Sequence, residues 1–512
     1  MNARTAGIWL LLAVLWFGTL GIRPLYKADE SRYGEISREM VASGDWVTPR
    51  LNGFKYFEKP PLQYWTTAAL FSVLGERDWV ARLWTALIGF AGIVLTFHAG
   101  NRLFGPPTGL YAAAILAGSP LYIVLGQVNT LDMSVSVFLA AAIFAFALGR
   151  MMWFWIACAL AVLSKGLIGF VLPLAAAGLY ILLKRHWSLI LRMVPGVLVF
   201  LVIAAPWFIA VSAANAEFAH FFFIQEHFQR FTTEMHQRAQ PAWYFLAVLA
   251  AGMAPWLAPF AKSLYRWTRE RTDLETLLWI WVLVVLAFFS ASSSKLPPYI
   301  LPIFPALAVL AARAITRSVL VVQAAVLLPA ALGSGLAIYT LAAGGQYAAY
   351  AFWLLVATVV LAAAAVATLI CRNVTAGVLA LALGGLVSTQ IGLAGHRTLS
   401  ARFSVESTLA QLPAPIPADA AVFAVDTYDH TIPWALKRTV TMVRHKDELA
   451  VAIGWERRKF IDSFDGFAHA WQAAPQAWAF VAPNDIEPLQ RDLGVALVEV
   501  ARGPTFAIVK KP

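Results

Sequence analysis

Read in windows of about twenty residues, the length a helix needs to cross a hydrocarbon layer, the chain shows apolar stretches centred near Leu12, Ile88, Ala114, Ala140, Ala157, Ala175, Ile203, Val248, Val282, Leu307, Val326, Val356 and Leu383. The pattern predicts an α-helical polytopic membrane protein with about thirteen transmembrane helices. The stretches near Ala157, Ala175 and Leu307 are short or interrupted by proline, and the tight turn at Gly149 and Arg150 blurs the boundary between its neighbours. From about Thr398 the pattern changes. Charges and the turn Leu412-Pro413-Ala414-Pro415 separate strand-like runs at Ala421 to Val425, Ala477 to Val481, Ala496 to Val500 and Thr505 to Val509. The last two flank Ala501-Arg502-Gly503-Pro504, a hairpin signal. The expected organisation is a membrane domain, 1–397, with long polar loops at 23–78 and 212–241, followed by an α/β domain, 398–512.

Charge gives this pattern a direction. With the N-terminus cytoplasmic, alternate loops carry Arg102, Arg150, Lys184 with Arg185 and Arg192, Lys262 with Arg266, Arg269 and Arg271, Arg313 with Arg317, and Arg372. The opposite short loops carry little beyond Lys165 and Lys295. This positive-inside asymmetry, with an odd number of spans, places both long loops and the C-terminal domain outside the cytoplasm. The first apolar stretch, Gly7 to Ile22, lacks a small-residue cleavage site and reads as a retained helix.

Composition agrees with lipid as the solvent: 60% of residues are hydrophobic and 13% charged. The net charge of +11 is spread between apolar spans, which favours orientation and membrane lipids over a nucleic-acid partner. Cys158 and Cys371 both lie in apolar stretches, so neither a disulfide framework nor a cysteine-based zinc site is expected.

Candidate chemistry concentrates on the outer face. The run Lys27-Ala28-Asp29-Glu30-Ser31-Arg32-Tyr33-Gly34-Glu35-Ile36-Ser37-Arg38-Glu39-Met40 has apolar positions at helical spacing and reads as an amphipathic surface helix, with Glu35, Arg38 and Glu39 as solvated ion pairs. Asp29 sits where the chain leaves the first span, and Asp132 at the outer entrance of the fourth. A carboxylate at that boundary is costly unless paired or hydrated, although Asp132 is also well placed for a helix N-terminus. In Tyr56-Phe57-Glu58-Lys59-Pro60-Pro61 the prolines fix the backbone beside Lys59, a compact cation suited to phosphate or to snorkelling. Lys295 and Tyr299 lie in the proline-rich Ser294-Lys295-Leu296-Pro297-Pro298-Tyr299, whose freed backbone groups suit a cavity wall. The second long loop holds His220, His227 and His236 with Arg230 and Arg238, but no complete metal-ligand motif. No Gly-rich phosphate loop or Gly-x-Ser-x-Gly motif occurs.

Together with Gly44-Asp45-Trp46-Val47-Thr48-Pro49-Arg50, these motifs resemble those of the bacterial aminoarabinose transferases, members of the protein O-mannosyltransferase-like clan with the multi-helix GT-C architecture. The likeness extends over nearly the whole chain. It implies transfer of 4-amino-4-deoxy-L-arabinose from undecaprenyl phosphate to lipid A phosphates at the periplasmic face, with no cofactor beyond the lipid-linked donor. It further implies Asp29, Lys59 and Asp132 as catalytic residues, and Tyr33, Tyr56, Lys295 and Tyr299 as lining the donor site; the charged outer-loop residues Glu30, Glu58 and Arg230 join them as substrate-binding candidates. No metal ligand is implied.

Expulsion of a polyprenyl phosphate from the anomeric carbon requires a cation for the developing phosphate charge, a role for Lys59 assisted by Lys295 or Arg230. A lipid A phosphate acceptor is already ionised and needs no base, which leaves Asp29 and Asp132 to hold the sugar. A Ser or Thr hydroxyl acceptor, as in a protein O-mannosyltransferase-like enzyme, would make Asp29 the general base. A lipid or sugar transporter is the non-enzymatic alternative, but transporters place binding residues at mid-membrane on broken helices. The charge pattern predicts that a reporter fused after Pro512 is active only outside the cytoplasm. Activity inside would overturn the orientation.

Overall fold

The computed structural model describes residues 3–229, 240–494 and 496–512. Each of the apolar centres read from the sequence falls inside a helix. Six helices among the described residues are long and apolar enough to span a membrane: Asp78–Phe104, Gly196–Ala214, Asp273–Ala291, Arg317–Ala342, Ala348–Ile370 and Val374–Phe403. Two further segments are bent pairs: Thr108–Ala117 with Pro120–Gly126 at 66°, and Tyr244–Gly252 with Ala254–Glu270 at 79°. Five apolar helices are shorter, namely Ala6–Phe17, Asp132–Ala147, Met151–Lys165, Ile168–Lys184 and Pro297–Arg313. Proline explains the breaks: its ring and missing N–H stop the backbone ladder at Pro120 and Pro255.

The chain divides into two compact units. The first comprises Met1–Leu20, Glu58–Gln63 and Arg82–Gly395, and the second Gly21–Phe57, Tyr64–Ala81 and His396–Pro512. In lipid the hydrophobic effect does not drive helices together, so the first unit relies on close packing and internal hydrogen bonds. Gly385 lies so near Gly118 that a Cβ there would stand 2.3 Å from the Gly118 carbonyl oxygen. Buried polar groups find backbone acceptors: Trp16 Nε1 donates to Ala86 O (2.9 Å), Tyr122 Oη to Gly89 O (2.8 Å) and the Arg82 guanidinium to Leu20 O (2.9 Å).

The second unit contains the predicted α/β domain. A two-stranded ribbon, β1 (Arg50–Leu51) and β2 (Phe54–Lys55), precedes a six-stranded sheet of β3 (Ala421–Val425), β4 (Thr441–Val443), β5 (Phe460–Ile461), β6 (Ala477–Val481), β7 (Val498–Arg502) and β8 (Ala507–Lys510). The sheet order is β5-β4-β3-β6-β8-β7, parallel from β5 to β6, with β8 antiparallel to both β6 and β7. Phe423, Val443, Phe467, Trp471, Ala479, Val481 and Val509 form its core. The short β4 and β5 escaped the sequence pattern because two or three residues give no usable alternation.

The first polar segment departs from expectation. Residues Asp29–Ser43 do form a helix, but Glu35, Arg38 and Glu39 are buried rather than solvated. The β1–β2 ribbon packs on this helix, and Trp434 of the helix Thr431–Leu436 covers Gly34, whose added Cβ would meet the indole at 3.4 Å. The expected ion pair survives as a bidentate Arg38–Glu35 contact (2.8 and 2.7 Å). The ribbon turns at Asn52 and Gly53, both with positive φ, the geometry of a two-residue Asn-Gly hairpin. Asn52 then exchanges two hydrogen bonds with the Val440 backbone (2.9 and 2.8 Å), which ties the ribbon to the α/β domain.

Glu39 accepts the Gly53 N–H through Oε2 (2.8 Å), while its buried Oε1 has no hydrogen-bond partner among the described residues and lies within reach of the Glu35 carboxylate. Burial first, and then the Glu35 charge, push the Glu39 carboxyl up to about 8. Glu39 therefore carries a proton at neutral pH in the folded chain, while an unfolded chain would release it near 4.5. The folded state binds more protons across that window, so stability falls as pH rises from about 4.5 through 8. The slope approaches about 1.4 kcal/mol per pH unit for one full proton. Glu39→Gln mimics the protonated acid, and its melting temperature in detergent is expected to decline less than wild type between pH 6 and 9. Parallel declines would remove Glu39 as the titrating group.

Candidate active site

Two neighbouring helices of almost equal length build the centre of the first unit. Asp132–Ala147 and Met151–Lys165 run antiparallel about the turn at Gly149, whose φ of 69° suits a residue without Cβ. Equal arms bring the first residue of one helix beside the last residue of the other. Asp132 and Lys165 accordingly form a close ion pair. Each also sits where the helix dipole favours its charge, the acid at an N-terminus and the cation at a C-terminus. Lys165 Nζ further lies 5.1 Å from the centre of the Tyr299 ring, which packs on Phe289 (4.9 Å).

This pair lines a cavity of about 360 Å³ with Glu58, Lys59, Glu226 and Tyr299. Lys59 Nζ donates to the Glu58 carbonyl (2.8 Å) and to Glu226 (3.2 Å). Apolar wall is supplied by Val135, Leu167, Ile168, Val171, Phe288 and Phe289. The cavity combines two ammonium groups and three carboxylates with hydrocarbon lining, a setting for a ligand with a charged head and an apolar body. Glu58, Lys59, Asp132 and Tyr299 are thus brought together as site residues expected from the sequence.

Other expected residues stand elsewhere. Lys295 is buried and donates to the Ser292 carbonyl (2.7 Å), closing its own turn, and it does not line the cavity. Asp29, Glu30, Tyr33 and Tyr56 belong to the second unit. Asp29 is half exposed, with Arg32 at 3.3 Å. Glu30 is buried in a salt bridge with Arg23, a structural partner for a carboxylate assigned to substrate. Tyr33 is buried beside Tyr64, ring centres 5.9 Å apart, and Tyr56 is buried with its N–H on Pro49 O (2.9 Å). Arg230, His236 and Arg238 lie outside the described residues, as does the His227 side chain; His220 is exposed.

The sequence reading missed two cavity residues, Lys165 and Glu226. Lys165 was legible in principle, because 132–147 and 151–165 are equal apolar arms about one glycine turn. Glu226 carried no such signal. Also missed was Glu448 in the second unit, which binds Arg32 (2.6 Å) and His430. Burial works against its charge, but the hydrogen bond from His430 and the charges of His430 and Arg32 hold its carboxyl down at about 2. The contact joins residues 32 and 448, too far apart in sequence for any local pattern.

The family model for the aminoarabinose transferase C-terminal domain matches residues 409–511, and that for dolichyl-phosphate-mannose-protein mannosyltransferases matches 58–209. The crystal structure of ArnT from Cupriavidus metallidurans bound to undecaprenyl phosphate superposes with a TM-score of 0.94 at 33% identity, over 100% of this chain and 98% of that one. Its apo state gives 0.92 at 34% identity, over 99% and 98%. The undecaprenyl phosphate-alpha-4-amino-4-deoxy-L-arabinose arabinosyl transferase of Aeromonas hydrophila subsp. hydrophila is 34% identical over 322 residues. That alignment spans 59% of each protein, so the chain matches about three-fifths of the curated relative's length. Fold and similarity together define a polytopic membrane protein of the GT-C glycosyltransferase type with an α/β C-terminal domain. The chain belongs to the aminoarabinose transferase family.

The hairpin geometry makes Asp132 and Lys165 mutually dependent. Lys165→Met leaves a largely buried carboxylate without its partner and is expected to cost about 3–5 kcal/mol. Asp132→Asn combined with Lys165→Met should lose much less than the sum of the single changes, measured by thermal unfolding in detergent. Strict additivity would mean the pair contributes no coupling.

Proposed function

We propose that this chain transfers 4-amino-4-deoxy-L-arabinose from undecaprenyl phosphate to lipid A phosphate groups at the periplasmic face of the inner membrane. The observation that carries the reading is the cavity in which Lys59, Glu226 and the Asp132–Lys165 pair meet an apolar wall. An ionic end beside hydrocarbon lining fits a phosphate attached to a prenyl chain. The name of the Aeromonas relative supplies the sugar, and the ArnT structure with undecaprenyl phosphate supplies the carrier. Lipid A as acceptor follows from the family.

In the reaction an acceptor phosphate oxygen forms a bond to the anomeric carbon as the bond from that carbon to the carrier phosphate breaks. The carrier phosphate leaves with the electron pair, and an ionised acceptor has no proton to give up. Lys59 stabilises the charge that develops on the leaving phosphate, where a fixed cation in a poorly hydrated site acts most strongly. Asp132 and Lys165 supply a carboxylate and an ammonium group for the amine and hydroxyls of the sugar, and Tyr299 a ring for its apolar face. The same reading puts the catalytic side and residue 512 outside the cytoplasm. A second reading, transfer to a peptide hydroxyl, draws on the mannosyltransferase match over 58–209.

Purified full-length protein given carrier-linked aminoarabinose and lipid A should yield lipid A heavier by one aminoarabinose in mass spectrometry. Sugar on an added Ser/Thr peptide would favour the second reading, and no transfer would reject both. Lys59→Ala is expected to lower turnover at least 100-fold per folded molecule, measured on protein that elutes as a single species; near-normal turnover removes Lys59 from the mechanism. For Asp29, the amino sugar and an N-acylated donor compared in wild type and Asp29→Asn form a double-mutant cycle. A coupling between the Asp29→Asn change and loss of the amine charge would identify Asp29 as an amine-orienting group. Zero coupling leaves it as base or structural acid.

A further inference from the structure

A second charged surface in the first unit is independent of the cavity. The helix Leu257–Glu270 follows the helix Tyr244–Gly252 through a 79° bend at Ala254–Trp256. Two residues separate it from Asp273–Ala291, which is long and apolar enough to cross a membrane, so the helix meets that span at its charged end. One face is fixed to protein: Trp267 stacks on Trp279 (5.6 Å) and donates to Thr276 (3.2 Å), Phe260 contacts Trp279 (5.8 Å), and the Ala258 N–H donates to Gln323 (2.7 Å). The opposite face is open. Leu257, Ala261, Leu264, Tyr265 and Thr268, spaced at i, i+4, i+7, i+8 and i+11, are all exposed, with Tyr265 at 54%.

Two cations converge on that face. Lys262 Nζ lies 5.0 Å and the Arg269 guanidinium 5.6 Å from the centre of the Tyr265 ring. Neighbouring carboxylates do not neutralise them, since Glu270 binds Arg266 (3.1 Å), Glu275 binds Arg266 and Arg313 (3.1 and 2.6 Å), and Asp273 binds Lys184 (2.6 Å). Among the described residues, Lys262, Arg269 and the exposed Arg271 therefore have no carboxylate partner. Like charges gathered on one ring beside an apolar stripe call for a ligand with an anionic head and a hydrocarbon body in the same molecule. A soluble acidic protein or nucleic acid would leave the stripe wet.

The geometry points to the Leu257–Glu270 helix as a binding surface for anionic glycerophospholipid, with the headgroup phosphate held by Lys262 and Arg269 and the acyl region against Leu257, Leu264 and Tyr265. The surface stands at one end of Asp273–Ala291, whose other end leads to Ser292 and Ser294 in the cavity wall, about 28 Å away along the helix. It therefore faces the leaflet opposite to the cavity and is separate from the transfer site.

The test uses full-length protein, delipidated in detergent and titrated with phosphatidylglycerol, phosphatidylcholine or inorganic phosphate, read by native mass spectrometry and by melting temperature. Phosphatidylglycerol should bind more tightly than phosphatidylcholine and raise the melting temperature, and phosphate alone should do neither. K262Q/R269Q should weaken the phosphatidylglycerol adduct roughly thirtyfold, about fivefold per cation near an anionic surface, and K262R/R269K should retain it. Unchanged phosphatidylglycerol binding by K262Q/R269Q would overturn the assignment. So would stabilisation by inorganic phosphate alone, or a change in oligomeric mass without a change in lipid adducts, which would give the face to a second copy of the chain.

Discussion

A helix in hydrocarbon closes its own backbone hydrogen bonds, but it has nowhere to put an unpaired charge. In the first unit Asp132, Lys165, Lys184, Arg313 and Arg317 accordingly stand at the first or last position of their helices. Asp132 opens one helix and Lys165 closes the next, and each offsets the cost of the other while meeting a favourable dipole. The cavity lies around this pair, where the two nearly equal arms of the helical hairpin end side by side. Lys59 and Glu226 repeat the same solution, a cation and an acid held together beside an apolar wall.

Pairing of this kind has a consequence for catalysis. In the proposed reaction, a cation committed to a neighbouring carboxylate is positioned before any ligand arrives, so little reorganisation is needed when phosphate charge develops. The three carboxylates of the cavity outnumber its two ammonium groups, which in the proposed reaction keeps those cations from holding a phosphate product tightly. The opposite arrangement appears on the Leu257–Glu270 helix. There the acids are taken up by other cations, and Lys262 and Arg269 are left to face the surroundings. Paired charges suit turnover of a ligand that must leave, whereas unpaired charges suit retention of one that stays.

The second unit follows the rules of a water-soluble domain, with a sheet core of Phe423, Phe467 and Trp471, and it buries polar groups at a cost that hydrogen bonding offsets. Glu39 meets that cost by keeping a proton, and Glu448 by binding His430 and Arg32. These opposite responses arise from one difference. Glu39 faces another carboxylate, Glu35, which already engages Arg38 in a bidentate pair, whereas Glu448 is approached by two cationic or hydrogen-bonding partners.

The apolar spans, the basic loops, the change of character near residue 398 and the candidates Glu58, Lys59, Asp132 and Tyr299 were legible in the sequence, since each rests on local composition or on resemblance over a short motif. The Asn52-Gly53 turn was equally local, and its hairpin was available to the same reasoning. Burial of Glu35, Arg38 and Glu39 was not, because a charged helix looks the same whether water or protein covers it. Lys295 was a candidate phosphate ligand, and its contact with the Ser292 carbonyl was not readable from the motif. Glu226 and Glu448 acquire partners 167 and more than 400 residues away in the chain, at Lys59 and Arg32. Hydrophobic periodicity fixes which segments leave water, and so determines the class of protein. Which charged side chains then meet is a matter of helix ends brought together across long separations, and only the tertiary structure decides it.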